Sequence, residues 1–266
     1  MNTVFHALHR QPRALVLANA WDAGSARLIA SLGAQAIATT SAGVAWSLGY
    51  RDGDVLPLDE HLACVRRICR VIELPLSVDI EGGYSDDPAA VGTAVARFVD
   101  AGAAGINLQD GPAPPELLCR KIEAARAAAA QAGVNLYINI RCDVFARQLV
   151  PAQACVEETL RRARMYRGAG ADGLFPLAVT DTGEIAALAA GTELLLNVIA
   201  WHGLPPVTEL ATLGVRRVST GSWLPQTLWK RTAGLAADFL AQGRSNVLVD
   251  DAEAYGAINA LLPAPA

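Results

Sequence analysis

A short phrase recurs along this chain: a helical stretch, then glycine among small residues, then a β-branched or apolar run. It reads Leu32-Gly33-Ala34-Gln35-Ala36-Ile37, Ala101-Gly102-Ala103-Ala104-Gly105-Ile106 and Ala132-Gly133-Val134-Asn135-Leu136. It returns as Ala169-Gly170-Ala171-Asp172-Gly173-Leu174 and Leu213-Gly214-Val215-Arg216-Arg217-Val218. Glycine just past a helix adopts the left-handed conformation at little cost, and the chain then turns into a strand. Eight strand candidates follow, at residues 15–18, 36–39, 76–80, 105–108, 136–140, 173–175, 194–198 and 217–220. Helical patterns such as 119–132 and 156–168 lie between them. Strand–helix alternation implies right-handed parallel units. Eight units in 266 residues predict a (β/α)8 TIM barrel, with residues 1–266 as a single domain. The rival fold is a doubly wound sheet, whose G-x-G-x-x-G fingerprint after the first strand is absent.

Composition supports a large core, at 52% hydrophobic and 18% charged residues, and no linker or charge run marks a boundary. A net charge of −4 with scattered Lys and Arg argues against a nucleic-acid partner. No apolar run is long enough to span a bilayer, and residues 1–10 lack the apolar region of a signal peptide. Five cysteines, an odd number without a C-x-x-C pair, suggest a reduced, cytoplasmic protein.

In a barrel the chemistry sits where strands end. The strand ends here carry Asn19, Thr39 to Ser41, Asp79 with Glu81, Asn107 to Asp110, Asn139 to Asp143, Asn197, and Ser219 to Ser222. The richest is Leu76-Ser77-Val78-Asp79-Ile80-Glu81-Gly82-Gly83-Tyr84. Period two puts Asp79 and Glu81 on one side of an extended chain. Two anions that close are stable together only with a cation, a donor or a shared proton. Blander roles stand beside these. Arg141 can pair with Asp143, Ser41-Ala42-Gly43 can be a tight turn, Asp22 can cap the first helix, and His202 can be a surface imidazole.

Several segments together resemble the isocitrate lyase/phosphoenolpyruvate mutase superfamily, in its phosphonomutase-like and 2-methylisocitrate-lyase-like branch. They are Asn19-Ala20-Trp21-Asp22-Ala23-Gly24-Ser25, Thr39-Thr40-Ser41-Ala42-Gly43-Val44 and Leu48-Gly49-Tyr50-Arg51-Asp52-Gly53. Asp79-Ile80-Glu81-Gly82-Gly83-Tyr84 is similar to the D-x-[DE]-x-G-Y metal motif, and Asn139-Ile140-Arg141-Cys142-Asp143 to N-A-R-x-D. Leu196-Asn197-Val198 and Gly214 to Ser219 resemble the last two strands.

The resemblance implies Mg²⁺ or Mn²⁺, a small carboxylate substrate of the 2-oxo type, and a C–C or P–C bond made or broken beside an enolate. It makes Asp79 the carboxylate closest to the metal, with Glu81 and Asp52 on coordinated waters and Gln109 in the family's glutamate position. It assigns Arg141 to the developing negative charge. Thr40, Ser41, Ala42, Gly43 and Asn197 join Arg141 in holding the substrate.

The chain also departs from the family. Leu108-Gln109-Asp110 replaces I-E-D, so the metal shell loses a charge that Asp110 is placed to restore in part. The short loop Gly111-Pro112-Ala113-Pro114-Pro115-Glu116 lacks the K-[KR]-C-G-H cysteine of the lyases and the long gate of the mutase. Thr220-Gly221-Ser222 stands where the decarboxylase branch places a histidine. His202, after the seventh strand, is a candidate acid/base near neutral pH. The expected function is a Mg-dependent lyase, hydrolase or decarboxylase of an oxaloacetate-like acid. The alternatives are a 2-oxo acid binder with little turnover and a phosphonate P–C enzyme. A helix at 250–262, swapped between subunits, is expected in a homodimer or homotetramer.

Overall fold

A computed structural model of the chain describes residues 2–262. Nine strands form one parallel sheet: β1 (Leu15–Leu17), β2 (Asn19–Ala20), β3 (Ile37–Thr39), β4 (Leu76–Asp79), β5 (Ala103–Gln109), β6 (Tyr137–Cys142), β7 (Gly173–Pro176), β8 (Leu195–Ile199) and β9 (Val215–Ser219). The order is β1-β9-β8-β7-β6-β5-β4-β3-β2. β1 and β2 are two pieces of one extended segment, parted at Ala18. β1 pairs with β9, Leu15 opposite Arg217, and β2 pairs with β3, Asn19 opposite Ala38. The first segment therefore closes the ring, giving the expected (β/α)8 barrel.

Helices Ala23–Ser31, Leu58–Val71, Pro88–Asp100, Pro115–Gln131, Cys155–Ala169, Thr182–Gly191 and Val207–Thr212 run between successive strands. Asp22 caps the first of them: its Oδ1 accepts from Ser25 N at 2.7 Å, and Ser25 Oγ accepts from Asp22 N at 3.1 Å. Pro115 at the start of its helix moves that boundary ahead of the expected residue 119, because proline's fixed φ and missing N–H suit a first turn. The recurring glycines have the expected backbone, with φ of +88° at Gly33, +107° at Gly102, +67° at Gly133, +108° at Gly170 and +97° at Gly214. The main core lies between ring and helices, where Ile37, Val78, Ile106, Ile140, Leu174 and Val198 are buried.

Inside the ring, helix Asn2–Leu8 plugs the N-terminal end, an element the sequence pattern did not suggest. Phe5 is buried edge-on to Tyr137, and His9 stacks on the same ring at 4.0 Å. Above the plug lies a buried polar layer of Asn107, Asn139, Asn197 and Arg217.

Within the expected helical stretch 250–262, Tyr255–Leu261 is helical, and Arg27 Nε donates to Leu261 O at 2.5 Å. The long helix is Trp223–Gln242, on which only Pro225 is buried. Among the described residues, no helix is long and apolar enough to cross a membrane. All five cysteines are free.

Close packing within the ring makes Gly173 indispensable. A Cβ there would lie 2.4 Å from Asn139 Oδ1 and 2.8 Å from the Tyr137 hydroxyl. Gly173→Ala should cost about 1–3 kcal/mol in urea unfolding. Gly234→Ala, on the exposed helix with nothing within 4 Å, should cost none.

Candidate active site

The C-terminal ends of the strands share one rim. β4 ends at Asp79, and the chain then leaves the extended conformation: Glu81 has φ +52°, Gly83 +90° and Tyr84 +66°. Strand alternation therefore does not set the direction of Glu81, contrary to the period-two reading. The left-handed turn instead brings its carboxylate to the 51–55 loop, where Oε2 accepts from Asp54 N at 2.5 Å. Asp54, itself at φ +58°, accepts from Gly82 N at 3.1 and 3.2 Å. Three of the five described non-glycine residues with positive φ thus meet here. Such conformations persist where the surroundings over-determine them.

Asp79 accepts weakly from Glu81 N at 3.3 Å and Ser41 N at 3.5 Å, and its own N–H donates to Thr39 Oγ1 at 2.9 Å. Burial pushes its carboxyl above the ordinary range, against the pull of Arg141. Glu81 is pushed up to about 7, first by burial, with the charges of Asp52, Asp54 and Asp79 adding to it against the Asp54 amide. Asp54 is also raised, chiefly by burial. Asp52 is exposed on the same loop and acts on the cluster through its charge.

Arg141, at the end of β6, lays its Nε and Nη2 on Asp143 at 2.7 and 3.0 Å. The bland reading of this pair is thus correct, and it orients the guanidinium. Burial works against the Arg141 charge, but Asp143, Asp79 and Asp52 outweigh it and raise its basicity. Thr40 is extended ahead of the short helix Ser41–Ser47. Gly43 sits where a Cβ would lie 2.8 Å from both Thr40 Cγ2 and Trp21 Cβ, so the close approach of these elements needs glycine there.

Gln109 closes β5 with its Oε1 buried and unpartnered. Asp110 does not make up the lost charge beside it. Its carboxylate is committed to Arg162 at 2.7 Å, Tyr166 at 2.8 Å and Asp143 N at 2.8 Å. Asn197 lies in the interior layer, accepting from Asn139 Nδ2 at 3.0 Å. His202 occupies an exposed turn after β8, beside a Trp201–Trp223 contact, and no hydrogen bond ties it to the acidic cluster.

Two contributors escaped the sequence reading. Lys121, its side chain 7% exposed, donates to Gly82 O at 2.9 Å and to Asp86 Oδ1 at 3.2 Å. Buried His61 hydrogen-bonds the Tyr84 hydroxyl through Nδ1. Neither signals itself locally, since both look like ordinary positions on helices.

The donors at the rim are all hard oxygens: Asp79, Glu81, the orphaned Gln109 Oε1 and nearby Asp52. Hard oxygen donors suit Mg²⁺ or Mn²⁺, which takes one or two protein carboxylates and keeps its waters. Among the described residues, no three His, Cys, Asp or Glu are grouped so as to hold a metal ion by themselves.

The profile of the phosphoenolpyruvate phosphomutase family matches residues 5–240. A structure from Burkholderia cenocepacia J2315, provisionally described as a phosphonomutase, is 39% identical, with a TM-score of 0.85 over 89% of this chain and 98% of its own. A second from the same organism, provisionally described as a lyase/mutase, is 32% identical, with a TM-score of 0.90 over 99% and 96%. The 2-methylisocitrate lyase of Salmonella typhimurium is 32% identical over 218 residues, covering 77% of this chain and 72% of that protein.

Glu81 ionises at about 7 in the folded chain, against 4.5 for the free side chain. Its protonated form therefore favours folding. That contribution is complete below the unfolded value and is lost as pH rises through the folded one. A divalent cation at this carboxylate would take over from the proton, so on that expectation Mg²⁺ should raise the melting temperature more at about pH 8 than at about pH 5.5. Equal gains at both would remove Glu81 from the cation site.

Proposed function

The chain belongs to the phosphoenolpyruvate phosphomutase family, within the isocitrate lyase/phosphoenolpyruvate mutase superfamily, and from that premise we propose a Mg²⁺- or Mn²⁺-dependent enzyme that cleaves a C–C bond in a small 2-oxo, oxaloacetate-like carboxylate. The observation that carries this reading is the orphaned Gln109 oxygen on the same rim as Asp79, Glu81 and Arg141. Asp79, Glu81 and Gln109 would hold the cation, with Asp52 reaching it through water. The bound ion supplies Lewis acidity to a 2-oxo group.

The chain's own groups do the rest. The backbone amides of Ser41, Ala42 and Gly43, at the start of the short helix, take the substrate carboxylate, since such backbone donors suit an anion. Arg141, anchored through Nε and Nη2, leaves Nη1 for the substrate. As the C–C bond breaks, its electron pair moves into the enolate, the other fragment departs as CO₂ or a carbonyl compound, and the guanidinium stabilises the oxygen that becomes negative. A donor already oriented by Asp143 needs little reorganisation at that moment.

We also propose that the chain works as a homodimer or homotetramer. Helix Trp223–Gln242 exposes Leu228, Trp229, Leu235 and Phe239. A groove of about 950 Å³ runs along Ala14, Val16, Leu28 and Leu32 at its base. Light scattering should return a mass at least twice 27.9 kDa.

The test is a screen of oxaloacetate, 2-oxoglutarate, methylisocitrate and phosphonopyruvate with Mg²⁺, following product and thermal shift. Turnover of a C–C compound, lost in EDTA and in Asp79→Ala with the fold intact, is the expected result. Turnover of phosphonopyruvate alone would move the reading to P–C chemistry. A thermal shift without product would leave a binder. Gln109→Glu restores a charge to the cation shell and should tighten Mg²⁺ binding about tenfold.

A further inference from the structure

We propose that Asp54 and Lys121 are positioning residues that clamp the backbone of Gly82 from opposite sides and so present Glu81 to the cation. The clamp is observed geometry; its purpose rests on the metal-dependent reading above.

The two peptide groups flanking the Gly82 Cα are each held by a charge from a different part of the fold. The Asp54 carboxylate, on the 51–55 loop, takes the Gly82 N–H at 3.1 and 3.2 Å. The Lys121 ammonium, on helix Pro115–Gln131, gives to the Gly82 carbonyl at 2.9 Å. Hydrogen bonds to charged groups are the stronger kind. The same Asp54 offers its own N–H to the Glu81 carboxylate, so one residue holds both the turn and the functional side chain.

Gly82 is required by this arrangement, because a Cβ would lie 2.8 Å from Asp54 Oδ2. The clamp also accounts for the backbone. Asp54 and Glu81 both occupy left-handed conformations that an unrestrained chain would leave.

Lys121 has little other work. Its acidic neighbour Asp86 is 89% exposed, so that ion pair is screened by water. The chain has only two lysines, Lys121 and Lys230, against twenty arginines. A compact ammonium suits a single carbonyl at the end of a buried stem, where a planar guanidinium fork does not.

The experiment titrates Mn²⁺ into the full chain, followed by electron paramagnetic resonance, for wild type, Lys121→Met and Asp54→Gly. Glycine suits the positive φ of residue 54 and keeps the N–H that Glu81 uses. Amide exchange of residues 81–85 is measured on the same proteins in EDTA. Mn²⁺ affinity should fall about 10- to 100-fold in both variants, as for other groups that orient a metal ligand. Exchange at 81–85 should quicken while melting temperatures in EDTA change little. Wild-type affinity in both variants, or in Asp54→Gly alone should Lys121→Met not fold, overturns the positioning role. If wild type itself binds no Mn²⁺, the metal reading fails, and unchanged exchange at 81–85 then disposes of the clamp as well.

Discussion

The rim is completed at a seam where β1 pairs with β9 and β2 with β3, and one side chain pins the break between them. Asn19 Oδ1 accepts from Thr220 N at 3.0 Å and Gly221 N at 2.9 Å, while Nδ2 donates to Thr39 O at 2.7 Å. It thereby ties the end of β9 to the end of β3 across the break at Ala18. A parallel sheet left open there would expose two unpaired edges. The carboxyl ends of β3 to β6, neighbours in this parallel sheet, lie to one side and carry Ser41, Asp79, Gln109 and Arg141 with them. The acidic cluster arises because residues far apart in sequence meet where strands of common direction end, and closing the ring completes the rim around them.

Beneath the rim, the barrel holds a cation with no carboxylate at ion-pair distance among the described residues. Arg217 is 1% exposed and reaches Asn107 Oδ1 at 3.2 Å and Ser77 Oγ at 3.5 Å. Burial lowers its pKa to about 10, which still leaves it charged at neutral pH. Ser77 lies two residues before Asp79 on β4, and Asn107 is the register partner of Asp79. The positive charge therefore sits one layer below the negative rim and acts on Asp79 through space. Asn139 bridges Asn107 and Asn197 at 2.9 and 3.0 Å and keeps this layer rigid.

Features that depend on neighbours in sequence were legible before any coordinates. The glycine phrase gave the helix ends, and runs of β-branched residues gave the strands. The Asp79 motif and Arg141 were recognisable as strand-end chemistry. What the sequence hid depends on partners dozens of residues away. Alternation could not foresee that Glu81 turns toward Asp54, because that needs the 51–55 loop in place. Asp110 looked available until Arg162 and Tyr166, a helix away, were seen to occupy it. Asn197 read as a rim residue because strand 194–198 was placed correctly, yet its side chain serves the interior. Lys121 was hidden among the alanines and arginines of an ordinary amphipathic pattern.

The seam also dictates an order of events when the protein is made. Leu15 and the side-chain oxygen of Asn19 meet Arg217 and Thr220 only about two hundred residues later. Contacts of such separation are slow to form, because a long loop must be closed before they repay it. During synthesis the first segment can pair with β3 early, but its other side has nothing to bind until the last strand leaves the ribosome. Until β9 has been made the ring cannot close and its edges stay unpaired, which gives molecular chaperones a window in which to act on the chain.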